Sequence, residues 1–304
     1  MGLSVRKFFS GRDRGYLRLW MIGAEVHRRV MRLQIFLLCG VCGWAGIQAD
    51  EAEPDPDKIP GVEAMIHESF AEGKAPQAPQ VAGGVTLAVT AENDAAAQAV
   101  QHGMTCLHAG WDVEAYRHFL QAVEQDPSCL MAHWGVVVSQ LNASPDMVGV
   151  KEAAVERMMA LIERGVGTEL ENRYVAALIQ WLRDGPQTAS RAFAAAREAF
   201  PNDPQLGVYE ALLDRSGYDT DGEAMPDQRR AEEKVRALIE RHPKLGYLRY
   251  VLLAMRAEAG DLNPDLSMAR ALAEESPEFS PYQHLLGHYE WRCGEHGRAR
   301  DAFG

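Results

Sequence analysis

The chain has 304 residues, of which 47% are hydrophobic and 24% are charged. This composition excludes a chain that is disordered throughout, because its apolar residues suffice for the core of one large or two ordinary domains. Basic residues number 31 and acidic residues 43, but residues 1–49 hold 8 basic and 2 acidic residues, so residues 50–304 carry a net charge of −18. We therefore expect no nucleic-acid partner, since binding one requires a basic surface.

An N-terminal apolar stretch predicts export from the cytoplasm. Residues 33–47 read LQIFLLCGVCGWAGI, follow three arginines and precede small residues and an acidic run. A membrane-spanning helix needs about 20 apolar residues, and this stretch is shorter and interrupted by glycines. We interpret residues 1–49 as an N-terminal extension and bacterial signal peptide cleaved near Ala49, which makes the mature protein periplasmic or secreted and leaves no membrane span. An uncleaved anchor is the alternative, and either Met1 or Met31 is the true start.

The cysteines predict no disulfide framework. Cys39 and Cys42 form a CxxC pair, but both lie inside the apolar stretch, and the exported part holds Cys106, Cys129 and Cys293. In the helical hairpin predicted below, Cys106 and Cys129 lie roughly 15 Å apart, beyond the Cα separation of about 7 Å that a disulfide allows. We expect three free thiols.

Residues 50–92 are predicted to be an acidic, proline-rich linker. Up to about residue 80 the composition offers too little apolar surface to order the chain. Residues 85–90 (VTLAVT) favour an extended conformation, and Asn93 is a suitable N-cap for the first long helix.

Residues 93–304 are predicted to form an all-α domain, because apolar residues recur at helical spacing and breakers follow at short intervals. Thr168 with Glu171 makes a capping box, and Asp203 with Pro204 makes a cap and a first helical residue. The predicted helices cover residues 94–109, 112–125, 130–142, 151–164, 169–183, 188–199, 204–215, 228–241, 246–259, 264–275, 281–293 and 296–303.

One residue spacing recurs within this domain. Its full copy, with separations of 7, 5, 4, 3 and 5, consists of Gly103, Gly110, Ala115, Phe119, Ala122 and Pro127. Two partial copies consist of Ala189, Phe193, Ala196 and Pro201, and of Gly287, Gly294, Ala299 and Phe303. Two helices joined by a tight turn approach closely where a small residue faces a large one, a glycine forms the turn and a proline ends the second helix. The spacing therefore predicts repeated helical hairpins.

The spacing resembles that of tetratricopeptide repeats, and the stretch GMTCLHAGWDVEAYRHFLQAVEQDP carries the resemblance most strongly. Together with the preceding VTLAVTAENDAAAQAVQH and the following SCLMAHWG, it is similar to the opening of a family of exported bacterial tetratricopeptide proteins. Residues 200–204 (FPNDP) and 284–294 agree with that family, whereas residues 242–246 (HPKLG) precede Arg249 and Tyr250 where the family has further histidines. The resemblance covers residues 85–304 and implies a right-handed α-solenoid of helical hairpins with no established catalytic activity.

The resemblance implies a non-catalytic scaffold that binds a peptide or a partner helix on the concave face of the solenoid, without a cofactor. Side chains on the first helix of each pair are the candidates for this contact. From helix position they are Gln98, Gln101, Met104, His108, Arg173 and Gln180.

A metal-dependent enzyme is the alternative function. His284 and His288 are four residues apart, which puts two imidazoles on one helix face as metal ligands require. No glutamate follows His284 as it does in metallohydrolase helices, and no third ligand is indicated. We therefore favour a packing role for this pair and expect no bound metal.

The last hairpin predicts that the chain is an incomplete version of a longer protein. It stops at Gly304, directly after Phe303, and the spacing calls for further residues in the second helix. A solenoid also needs a polar helix over its final apolar face. A natural short end is the alternative.

Overall fold

The computed structural model describes residues 76–141 and 147–304. The predicted signal peptide and the part of the linker before residue 76 lie outside this range. Within it the chain forms twelve α-helices and no β-strand, which confirms the all-α prediction. The helices are α1 (Asp94–His108), α2 (Asp112–Gln125), α3 (Leu130–Val138), α4 (Val148–Glu163), α5 (Glu169–Asp184), α6 (Pro186–Ala199), α7 (Pro204–Asp214), α8 (Pro226–Arg241), α9 (Gly246–Arg256), α10 (Asn263–Glu275), α11 (Ser280–Arg292) and α12 (His296–Phe303). In the described part of the chain, none of them combines the length and apolar character needed to cross a bilayer.

The helix ends follow the capping chemistry predicted from the sequence. The side chain of Asn93 accepts a hydrogen bond at 2.9 Å from the backbone N–H three residues later. Thr168 and Glu171 form the capping box of α5. Asp203 caps α7 through a hydrogen bond of 2.9 Å from a backbone N–H, and Pro204 occupies its first turn. The largest boundary difference is at α3, which ends at Val138 rather than at residue 142.

Phe119 explains the recurring spacing, because it fills the space between three helices. A Cβ atom added to Gly103 on α1 would lie 2.8 Å from the Phe119 ring, and one added to Gly135 on α3 would lie 2.1 Å from it. The last hairpin repeats this contact, since a Cβ atom on Gly287 would lie 2.5 Å from Phe303. These positions need glycine because the ring takes the volume of any larger side chain.

Successive helices pack against one another along the described chain, in the pairs α1 with α2, α3 with α4, α5 with α6, α7 with α8, α9 with α10 and α11 with α12. Among the first helices of these pairs, α1 packs against α3 and also against the distant α9, while α9 contacts α7 and α11. The faces of the first helices therefore meet in a shared interior.

An aromatic cluster fills this interior. Trp134 packs edge-on against Tyr174 and Tyr209, with ring centroids 5.4 and 5.5 Å away, and Phe193 stacks on Tyr209 at 5.0 Å. The indole N–H of Trp134 donates to the backbone carbonyl of Tyr174 at 3.1 Å. Rings from α3, α5, α6 and α7 thus form one core with an internal hydrogen bond.

We predict that Phe119→Ala lowers the free energy of unfolding by about 3 to 5 kcal/mol, because the ring is fully buried and two glycine backbones cannot fill the space it leaves. The matched control is Phe303→Ala, which changes the same repeat position where the ring is 49% exposed. Chemical denaturation of both variants measures the difference. Equal losses for the two variants would contradict the assigned packing.

Candidate partner-binding site

Two of the six predicted contact residues lie inside the protein, which corrects the expectation that they face a partner. Met104 is fully buried and His108 is 5% exposed. The imidazole of His108 stacks on Tyr247 of α9 at 5.1 Å, and its Nε2 lies 3.2 Å from Oε1 of Gln205 on α7. The physical reason is the packing of α9 against α1, which covers the face of α1 that we had assigned to an open groove.

The other four predicted residues have different surroundings. Gln98 is exposed, whereas Gln101, Arg173 and Gln180 are half-buried. The side-chain amide of Gln101 donates to the backbone carbonyl of Leu87 at 3.0 Å. This side chain therefore binds a segment of its own chain, and only Gln98 keeps the exposure that the prediction assumed for all six.

That segment is residues 82–92, which we call the extended segment. It has no helical structure and crosses several helices. Along residues 85–88, Val85 and Leu87 are buried and Thr86 and Ala88 are exposed, which is the two-residue alternation of an extended chain. Part of the predicted linker 50–92 is thus packed against the helical domain.

Hydrogen bonds to helix residues fix the extended segment along its length. The backbone N–H of Ala82 donates to the hydroxyl of Ser276 at 2.9 Å, and that of Val85 donates to the hydroxyl of Thr105 at 2.9 Å. Gly83 passes so close to the α8–α9 loop that a Cβ atom there would lie 2.0 Å from a carbonyl oxygen, and its φ of 65° is one that glycine adopts freely.

Glu171 anchors the other end of the extended segment. Its carboxylate accepts from the backbone N–H and the hydroxyl of Thr90, both at 2.7 Å. It also accepts from the backbone N–H of Thr168 at 2.6 Å and from the Thr168 hydroxyl at 3.0 Å. One buried carboxylate therefore caps α5 and holds the extended segment, and the four donors compensate for its removal from water.

A surface cavity of about 690 Å³ lies beside the extended segment, and we call it the edge cavity. The cavity is lined by Thr86, Leu87 and Ala88 of the extended segment, by the loops 199–204 and 241–245, and by Leu170. Its volume lies in the range of pockets that bind small ligands. The two proline loops in its lining include FPNDP, which agrees with the family pattern, and HPKLG, where the sequence departs from it. The sequence did not indicate that they meet at one cavity.

One backbone edge of the extended segment is free at this cavity. Along an extended strand, successive residues point their N–H and C=O groups to opposite sides. The N–H of Val85 donates to the Thr105 hydroxyl and the C=O of Leu87 accepts from the Gln101 amide, so this side of the segment faces α1. Thr86 and Ala88 are exposed, and within the described residues their backbone N–H and C=O groups have no protein hydrogen-bond partner. They form a short unpaired strand edge.

Three basic side chains also line the edge cavity. Lys244 is exposed, and neither Lys244 nor Arg241 forms an ion pair with another described residue. The Nε2 atom of His242 is buried and lacks a hydrogen-bond partner in the described part of the structure. The lining carboxylate, Asp203, already accepts from the Tyr174 hydroxyl at 2.9 Å and caps α7, and burial raises its pKa. The cavity thus presents unpaired cations on a chain with an acidic excess.

The His284 and His288 imidazoles lie together on the surface of α11. Their Nε2 atoms are 3.0 Å apart, both side chains are exposed, and the Phe303 ring lies 5.5 and 5.3 Å from the two rings. Among the described residues, no group of three or more metal-ligating side chains comes together. A catalytic zinc site needs three protein ligands. The metal-enzyme alternative is therefore supported by only two candidate ligands among the described residues.

The three cysteines of the helical domain are free thiols. Burial raises the pKa of Cys106 to about 12 and that of Cys129 to about 11. The pKa of the half-buried Cys293 is also raised by desolvation. Thiols with such pKa values are protonated at neutral pH and are therefore poor nucleophiles. The pair Cys39 and Cys42 lies outside the described residues.

Comparison of the chain with protein-family models and with curated proteins finds no match. The functional argument below is therefore built on the residues of this chain.

We predict that Glu171→Gln lowers the free energy of unfolding by about 2 kcal/mol, because four hydrogen bonds to a charged acceptor are weakened. We also expect faster amide hydrogen exchange in the extended segment. Glu169→Gln is the control, since it removes a more exposed carboxylate from the same helix turn. An unchanged exchange rate at Thr90 in Glu171→Gln would contradict the anchoring role.

We predict that His108 makes the protein less stable in acid. Burial lowers the pKa of His108 from 6.5 to about 4, so between these pH values the unfolded chain binds more protons than the folded one. The contribution is complete above pH 6.5 and decreases by up to roughly 3 kcal/mol as the pH falls to 4. Denaturation at several pH values should give a shallower pH dependence for His108→Gln than for the wild type. His118, whose pKa is also lowered to about 4 by burial, supplies a second part of the dependence.

For this pH series, the control is His296→Gln, which removes an exposed imidazole. A His108→Gln variant with the same pH dependence as the wild type would contradict the burial of His108 in its neutral form.

Proposed function

We propose that this chain is a non-catalytic interaction scaffold that binds an extended segment of a partner protein in the edge cavity. The observation that most directly supports this proposal is the free backbone edge of Thr86 and Ala88, which lines a cavity large enough for a peptide. The proposal moves the binding surface away from the concave face expected from the sequence, because Met104 and His108 on α1 are buried.

The proposal includes a tetratricopeptide-like solenoid as the framework. Its support is the recurring contact of a glycine with a phenylalanine sixteen residues later, at Gly103 with Phe119 and at Gly287 with Phe303. Positive φ angles at Gly110 (67°) and Gly294 (84°) support matching turns after the first helix of each hairpin. Repeated hairpins of this kind serve as rigid frames for binding sites rather than as sources of chemistry.

The proposal also places the scaffold in the bacterial envelope or outside the cell. The support is the order of arginines, apolar residues, small residues and acidic residues around residues 33–50, which is typical of a cleaved signal peptide. We propose a protein partner rather than a nucleic acid because residues 50–304 are strongly acidic.

A random peptide library displayed on phage tests the proposed function with the purified protein as the target. We expect enriched peptides that bind in solution and lose at least about tenfold in affinity to Ala88→Trp, because the indole would occupy the edge cavity. Ala95→Trp is the control, since it adds the same side chain at an exposed position of α1 outside the cavity. No enrichment, or equal binding to both variants, would refute the proposal.

A further inference from the structure

We propose that the edge cavity recognises an acidic peptide strand, which pairs its backbone with Thr86 and Ala88 and places a carboxylate beside Lys244 and Arg241. This inference rests on the proposed function and specifies its ligand. It joins two independent observations, a free hydrogen-bonding edge and cations without an ion-pair partner among the described residues, both in the lining of one cavity.

The backbone edge selects an extended peptide. Thr86 and Ala88 are two residues apart, so their N–H and C=O groups repeat at about 7 Å along the strand, which is the repeat of any extended chain. A peptide strand can satisfy all four groups by alternate residues. A helix cannot, because its own backbone groups are already paired internally. The edge therefore favours a strand over the partner helix that the sequence left open.

The basic residues in the cavity lining favour negative charge on that strand. Arg241 uses one guanidinium nitrogen to donate to the backbone carbonyl of Pro201 at 3.1 Å, which fixes the side chain and leaves further N–H groups for a ligand. Lys244 is exposed and forms no ion pair with a described residue.

The carboxylate already in the wall does not compete for these cations. Both oxygens of Asp203 are engaged, one by the Tyr174 hydroxyl and one by the backbone N–H of Gln205. A ligand carboxylate is consequently the group that complements Arg241 and Lys244. A basic peptide would bring like charges together and bind less well.

The cavity geometry also limits how long the recognised strand is. The free edge ends where the backbone N–H of Thr90 donates to Glu171 on one side and where Gly83 turns toward the α8–α9 loop on the other. Pairing is thus restricted to the stretch between these two points. Recognition of a short motif, rather than growth of a long sheet, is the expected outcome.

The test uses the full protein labelled with ¹⁵N and three pentapeptide probes with blocked ends. The acidic probe alternates valine and glutamate (VEVEV), and the basic probe replaces glutamate by lysine. The third probe is the acidic sequence in two versions, N-methylated either at both glutamates or at the central valine. We expect the acidic probe to bind and to slow amide hydrogen exchange at Thr86 and Ala88. One of the two methylated versions should lose binding, because only one set of alternate N–H groups faces the edge.

Charge reversal tests the second half of the proposal. Lys244→Glu should weaken the acidic probe by about tenfold and strengthen the basic one. Arg298→Glu is the matched control, because it makes the same charge change at an exposed position of α12. Affinities of all probes by fluorescence titration separate a local effect from a general effect of net charge.

The outcomes distinguish this inference from the proposed function. If library peptides bind but the acidic probe does not, or if the exchange at Thr86 and Ala88 is unchanged on binding, the acidic-strand assignment is overturned while the scaffold stands. Equal responses of Lys244→Glu and Arg298→Glu also overturn it. If neither library peptides nor probes bind, both proposals fail.

Discussion

The packing of α9 against α1 limits where the proposed partner could bind. This contact joins helices that are far apart in the sequence and helps to bury His108, so the first helices enclose an aromatic interior rather than an open groove. The stacking of His108 on Tyr247 is part of the same contact. Because the interior is filled, a partner has access to the ends of the helices and not to their inner faces.

The extended segment completes this arrangement by contacting residues of several helical hairpins. It is bound to Thr105 on α1, to Glu171 on α5 and to Ser276 before α11, which are widely separated in the chain. A segment without secondary structure of its own cannot satisfy its backbone internally, so each helix supplies a polar side chain for it. The edge cavity is the space left between this segment and the loops 199–204 and 241–245.

Charge is distributed differently in the core and at the cavity. Two buried acidic residues of the helical domain have basic partners: Glu210 pairs with Arg197 at 2.7 Å and with Lys234 at 2.9 Å, and Glu232 pairs with Arg256 at 2.6 Å. Breaking such a pair leaves a buried charge without compensation, so these residues are constrained by the fold. Arg241 and Lys244 in the edge cavity have no ion-pair partner among the described residues. They are therefore free to pair with a negatively charged group of a ligand.

Sequence reasoning captured the local chemistry of the fold. The cap at Asn93, the capping box at Thr168 and the glycine that faces Phe119 are decided by residues close in sequence, and they set the helices and the hairpins. Helical periodicity says which face of a helix is apolar or polar, but not which distant element covers it. His108 illustrates the limit, since a histidine that ends a helix gives no sign of whether an aromatic ring from α9 will stack on it.

The edge cavity could not be predicted from the sequence either, because it also depends on which distant elements come together. Its lining comes from four separate stretches of the chain, and its main feature is a pair of residues whose backbone groups are unbonded within the described structure, which no residue type reveals. Alternation in VTLAVT predicted an extended segment, yet only the contacts of Val85 and Leu87 with α1 show which edge remains free.

A fixed strand edge binds a peptide more favourably than a mobile one. The hydrogen bonds at Ala82, Val85 and Thr90 hold the extended segment in place in the folded protein, so the entropy lost in ordering it belongs to folding and not to binding. A partner strand therefore loses mainly its own conformational freedom when it pairs with Thr86 and Ala88. If an anchor such as Glu171 were weakened, the extended segment would be ordered only when the peptide binds. Part of the entropy loss would then lower the binding affinity, even though Glu171 does not line the cavity. The anchors of the extended segment thus connect the stability of the fold with the affinity of the proposed site.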